Sequence, residues 1–140
     1  PKHQQSAFKV SYFIDPQAAP SVDEILALIR QRELTANVVS SFGQFLDVIP
    51  ARASKGPALR YVSQRLDVPL EQILAAGGSG ADEDMIRGNT LGVVVANRHD
   101  EELSALVDLE RVYYSDRSHA AGLLDAIEHY DFFGRGADPA

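Results

Sequence analysis

Residues 73–96 read "ILAAGGSGADEDMIRGNTLGVVVA", and the order of their parts decides the fold. A short apolar run (72–77) ends in a glycine-rich turn, a helix-compatible stretch follows (81–88), and a second apolar run spans 90–97. Strand, turn, short helix, strand is the repeating unit of a parallel sheet, because parallel neighbours need a crossover. The unbroken apolarity of "LGVVVA" fits a strand buried on both faces. Ligands of such sheets bind beyond the carboxyl ends of the strands, where this turn lies. Its amides, with the Ser79 hydroxyl, could cradle an anion. Asp82, Glu83 and Asp84 could offer oxygens to magnesium, or simply complement the dipole of the helix they open. The turn by itself does not choose between these readings.

The alternation continues outward. Downstream, "DEELSAL" (100–106) reads as a helix, "RVYYS" (111–115) as a strand and "SHAAGLLDAIEHYDFF" (118–133) as a closing helix, with "GRGADPA" a loose tail. Upstream, "SKGPALRYVSQRLDVP" (54–69) reads as a capped helix with Pro57 in its first turn. Residues 7–50 have a different rhythm. "AFKVSYFI" (7–14) alternates Phe8, Val10, Tyr12 and Ile14, the pattern of a half-buried strand. Ser21 and Glu24 form a capping box before a helix with Val22, Ile25, Leu26 and Ile29 on one stripe. Runs 36–42 and 45–50 make a hairpin turning at Gly43-Gln44. A small antiparallel α+β unit thus precedes half of a doubly wound α/β domain, whose three short strands make a thin sheet.

Composition narrows the partners. At 140 residues, 45% hydrophobic and 24% charged, the chain has the profile of a globular domain. A net charge of -7 argues against nucleic acid and against anionic membrane surfaces. No apolar run is long enough to cross a bilayer as a helix, and no cysteine offers a disulfide or a thiolate site. "PKHQQSAFKV" has no signal-like apolar stretch, so a cytoplasmic protein is expected, and the Pro1 start fits a piece of a longer chain.

Lys55 is the first single residue of interest. Cations are disfavoured at a helix N-terminus, so "SKGP" either exposes an idle lysine or aims a charge at a phosphate or carboxylate. His3, His99, His119 and His129 lack metal-ligand spacing, and His119 reads as structural. Tyr113, Tyr114, Tyr130, Phe132 and Phe133 read as core, while Arg98, Arg111 and Arg117 read as surface charges.

Three stretches carry more information together than apart: "IPARASKGPALRYV", "ILAAGGSGADEDMIRGNTLGVVVANRHDEEL" and "VYYSDRSHAAGLLDAIEHYDF". In this order and spacing they resemble the C-terminal half of sucrose-phosphate phosphatase, of the haloacid dehalogenase (HAD) superfamily. They resemble most the phosphatase-like domain fused to bacterial sucrose-phosphate synthases. The resemblance covers residues 8–133. It implies a HAD-like, Rossmann-like α/β core with an inserted α+β cap that helps select the sugar phosphate. Residues 1–50 would be the later part of the cap and 51–140 the C-terminal half of the core. Lys55 would match the lysine that steadies the nucleophilic aspartate and the phosphoryl group. Asp82 would match the second acid of the G-D-S-G-x-D loop near magnesium. Ser79, Gly80 and Asn89 would lie at the phosphate.

Two departures follow from the same comparison. Gly78 stands where active members carry their main magnesium carboxylate, and the D-x-D strand with the nucleophile is not in these residues. The expectation is therefore a module of sucrose biosynthesis that binds sucrose 6-phosphate or phosphate, holds no magnesium and steadies or regulates a glycosyltransferase. The alternative is a magnesium-dependent hydrolase completed by an N-terminal half. The missing strand would leave bare the edge of "ILAAG", the apolar face of the helix at 54 and the "LGVVV" run. The remainder of a parent chain or a second copy should cover them.

Overall fold

A computed structural model describes residues 5–134. Among these residues the chain builds two three-stranded sheets, joined by the turn at 51–54. The first sheet contains β1 (Val10–Phe13), β2 (Ala36–Ser41) and β3 (Phe45–Pro50), antiparallel in the order β1-β3-β2. Helix α1 (Val22–Gln31) covers one face. It starts where Glu24 N–H donates to Ser21 Oγ and the Glu24 carboxylate accepts the Ser21 N–H at 2.8 Å. Its stripe of Val22, Ile25, Leu26 and Ile29 packs on Val38, Leu46 and Val48. The hairpin turns through Phe42 (φ 55°) and Gly43 (φ 62°), the left-handed pair that matches strand twist.

β1 departs from the expected half-buried strand. Phe8, Val10 and Tyr12 are exposed and only Ile14 joins the core. The period was right, but β1 and β2 lie at opposite edges of the sheet and α1 packs over the β2 side, leaving β1 uncovered.

The second sheet is parallel, β4 (Leu74–Gly77), β5 (Leu91–Val94) and β6 (Val112–Tyr114) in that order. Every residue of β5 is buried. On one face Val94 packs with Ile86, Leu103 and Leu106. On the other, Leu91 and Val93 pack with Ala126 and Tyr130 of the closing helix α4 (His119–His129) and the residue after it. Layers of helix, sheet and helix result. The expected helix at 100–106 is present as a 3-10 helix over residues 101–106. At three residues per turn, Leu103 and Leu106 eclipse and both enter the core. The stretch 81–88 is likewise split, into a 3-10 turn at 80–82 and the four-residue α3 (Glu83–Ile86). Tyr113, Tyr114, Tyr130 and Phe132 join the core as expected, but Phe133 is exposed. Residues 135–140 of the expected tail, and His3, lie outside the described residues. No described helix is long and apolar enough to cross a membrane.

Helix α2 (Lys55–Leu66) has Ser54 at its N-cap, but the serine side chain makes no capping bond. Asp84 takes that role from outside the helix, accepting the Gly56 N–H at 3.0 Å. A Cβ on Gly56 would stand 2.6 Å from the Asp84 carbonyl oxygen, so glycine lets α2 dock on α3 this closely. α2 leaves Tyr61, Val62 and Leu66 exposed, and β4 has no strand on its outer side among the described residues. Two of the three expected bare surfaces are therefore present. The third is not, because helices cover β5 on both faces.

Candidate functional site

The carboxyl end of β4 delivers the loop Gly77–Asp82 beside the start of α2. Lys55 Nζ donates to Asp82 Oδ1 at 2.5 Å. The other oxygen of Asp82, Oδ2, accepts the Gly78 N–H at 3.0 Å, the Ser79 N–H at 3.1 Å and the Ser79 hydroxyl at 3.2 Å. Burial pushes the Asp82 carboxyl up, but Lys55 and the two amides outweigh it and hold the group below the ordinary aspartate value. Asp82 is 9% exposed, whereas the Lys55 side chain is 55% exposed. The lysine thus rests its ammonium on a buried carboxylate while more than half of its side chain stays exposed.

The amides expected to cradle an anion are already in use. Gly78 and Ser79 donate to Asp82, and Gly80 N–H donates to Glu102 Oε2 at 2.8 Å. The Ser79 side chain is buried against Asp82. Asn89 is corrected more sharply. It precedes Leu91, which pairs with Leu74 at the start of β4, so it stands at the amino end of the sheet. A four-residue strand, roughly 10 Å, separates it from the Gly77–Asp82 loop. Adjacency in sequence to the loop misled, because α3 carries the chain back down the sheet before β5 begins. Of the acids, only Asp82 meets Lys55; Asp84 caps α2, and Glu83 pairs with Arg87 at 2.8 Å.

The residues present do not fit magnesium on their own. Gly78 has no carboxylate, and both oxygens of Asp82 are committed to protein donors. No cluster of three or more His, Asp or Glu converges among the described residues. His119 shares contacts with Asn97, the ring Nδ1 lying 3.2 Å from Asn97 Nδ2 and its own N–H donating to Asn97 Oδ1. Arg98 is not a free surface charge: it pairs with Asp100 at 2.6 Å and lies over the Tyr114 ring.

Sequence reading missed Glu102. Its carboxylate accepts Ser40 Oγ, Phe42 N–H and Gly43 N–H from the hairpin as well as Gly80 N–H from the loop. Burial raises this carboxyl, but the Gly80 and Gly43 amides, Ser40 and Phe42 bring it below the ordinary glutamate value. A glutamate in "DEELSAL" looks like any solvent-facing helix acid, and only the tertiary approach of the hairpin gives it partners.

A parallel sheet with helices on both faces, with the lysine–aspartate pair beyond its carboxyl end, is an α/β architecture, and its structural neighbours identify it as HAD-like. The chain belongs to the Sucrose-6F-phosphate phosphohydrolase family, which it matches over residues 1–131. The sucrose-phosphatase of Synechocystis sp. PCC6803, solved in complex with sucrose and phosphate, superposes with a TM-score of 0.83 at 35% identity, over 91% of this chain and 53% of that one. The mannosylfructose-phosphate phosphatase of Agrobacterium fabrum is 29% identical over 127 residues, 90% of this chain and 51% of its own length. The glucosylglycerol-phosphate synthase of Pseudomonas anguilliseptica is 28% identical over 127 residues, 91% of this chain and 16% of that protein. The chain spans about half the length of the two phosphatases.

Proposed function

We propose that this chain is the cap-and-core half of a sucrose-phosphatase-like domain that binds a disaccharide phosphate such as sucrose 6-phosphate without hydrolysing it. Residues 1–50 belong to the cap and 51–140 to the core. The parent chain is a sucrose-phosphate synthase, whose glycosyltransferase part the module steadies or informs. One observation carries the loss of chemistry: Gly78 supplies no carboxylate, while Asp82 is spent on Lys55 and the loop amides. Phosphoryl transfer rests on positioning and on neutralising charge, and magnesium supplies much of that neutralisation where it is bound. Lys55 remains the phosphate contact, its side chain half-exposed and its ammonium held by Asp82. Ser79 and Gly80 act by shaping the loop. Support for the ligand comes from the Synechocystis relative, crystallised with sucrose and phosphate. The match to a segment of a glucosylglycerol-phosphate synthase supports a place inside a longer synthase.

A second reading has its own support. The Lys55–Asp82 pair is intact, and similar proteins are phosphatases. In that reading an upstream half supplies the nucleophile and the magnesium ligands.

Calorimetric titration of the full-length protein with sucrose 6-phosphate, in the absence of magnesium, tests the binding claim. Saturable binding weakened about tenfold or more by Lys55→Ala is expected from a lost charged contact. No binding by the unaltered protein would sink it.

A further inference from the structure

We propose that Glu102 is the positioning residue that latches the β2–β3 hairpin onto the loop after β4, and so sets how closely the first sheet sits over the Lys55 site. The inference rests on reading the first sheet as the cap.

One carboxylate joins three distant segments. Glu102 Oε1 accepts Ser40 Oγ and Gly43 N–H, each at 2.9 Å. Its Oε2 accepts Phe42 N–H at 3.1 Å and Gly80 N–H at 2.8 Å. The hairpin is shaped for this. The tight turn at Phe42 and Gly43 presents the amides of both residues to the Glu102 carboxylate, a small nest of backbone donors. A left-handed conformation is unfavourable for phenylalanine, whose side chain is exposed here, so local packing does not explain it.

The loop side is shaped for it too. A Cβ on Gly80 would stand 2.7 Å from the Ser40 carbonyl oxygen and 3.3 Å from Glu102 Cβ. Glycine is therefore needed for the hairpin's approach, and the Gly80 amide serves the carboxylate rather than an incoming anion. His99 closes the nest from the side, its Nδ1 4.0 Å from Glu102 Oε1. Beside the latch lies an open cleft of about 610 Å3 between the sheets, lined by Ile14, Val38, Ser40, His99 and Glu101 among others. Releasing Glu102 widens this cleft, and holding it keeps the hairpin tip two residues from Asp82.

Amide exchange read by mass spectrometry on the full-length protein tests the latch. Glu102→Gln keeps the shape but turns an NH2 group toward amide donors. Exchange should quicken in the peptides covering 40–44 and 78–82 together, by roughly ten- to a hundredfold, while 91–94 stays protected. Gly80→Ala, which wedges the hairpin away and leaves the carboxylate intact, should release the same two segments. Ser40→Ala, a milder change that keeps the fold, should move both in the same direction by less. Quickening in one segment only, in neither, or throughout β5 would overturn the proposal, the last because it marks Glu102 as a general stability residue. Exchange does not depend on sugar-phosphate binding, so failure here leaves the Lys55 reading standing, and the reverse holds as well.

Discussion

At the scale of single residues the site is a set of carboxylates held by amides, and their loss has a sign. Asp82→Ala strands Lys55 and the amides of Gly78 and Ser79. With the lysine half in solvent the cost should be about 2 kcal/mol, read as a lower denaturant midpoint. Lys55→Ala should cost less, since its partner keeps two amides. Acid should act on Glu102. Its folded pKa lies below the unfolded one, so its contribution is complete above the ordinary glutamate value and disappears as pH falls through the folded value. Denaturant midpoints measured from pH 7 downward should therefore drop less steeply in Glu102→Gln; an unchanged slope would show the carboxylate contributes nothing. A side chain at Gly78 would press on buried Val95, its Cβ standing 3.2 Å from Val95 Cγ2, while the nearest backbone atom is 3.5 Å away. Lys55 stood out because a cation is unusual at a helix start, whereas Asp82, an ordinary acid for a first helical turn, was singled out only by the resemblance. Glu102 was not, because nothing local distinguishes it from Glu101.

At the scale of elements, patterning located most pieces and topology corrected their surroundings. The stripe of α1, its capping box and the Gly43 hairpin could be read directly, since each is a local rule obeyed locally. The burial of β1 could not, because alternation fixes which residues share a face but not which face α1 covers. Asn89 failed for the same reason: only strand pairing shows that it lies at the opposite end of β4 from the loop. The edge of β4 is the element-scale prediction. Among the described residues it pairs with β5 alone, and α2 adds exposed Tyr61, Val62 and Leu66. The 140 residues by themselves should associate, seen as a mass above 15.3 kDa in light scattering that falls when Leu66→Lys places a charge on this face. A soluble monomer with strong exchange protection across 74–77 would contradict that.

At the scale of the whole molecule, the two sheets meet where Lys55, Asp82, Gly80 and Glu102 gather, and the surfaces left open lie on β4 and α2. The chain spans about half the length of the phosphatases it resembles. The α/β class and the order of the two units could be read from the sequence, because a parallel sheet and an antiparallel hairpin have different periodicities. The closeness of the hairpin to the loop could not, being a product of Gly80 and Glu102 acting across the fold. The central claim is that the site has kept its phosphate contact and lost its chemistry at Gly78. The most direct test is phosphate release from sucrose 6-phosphate by the full-length protein with magnesium present. The account predicts no release above blank from the unaltered protein. Magnesium-dependent turnover that disappears on Lys55→Ala would contradict it.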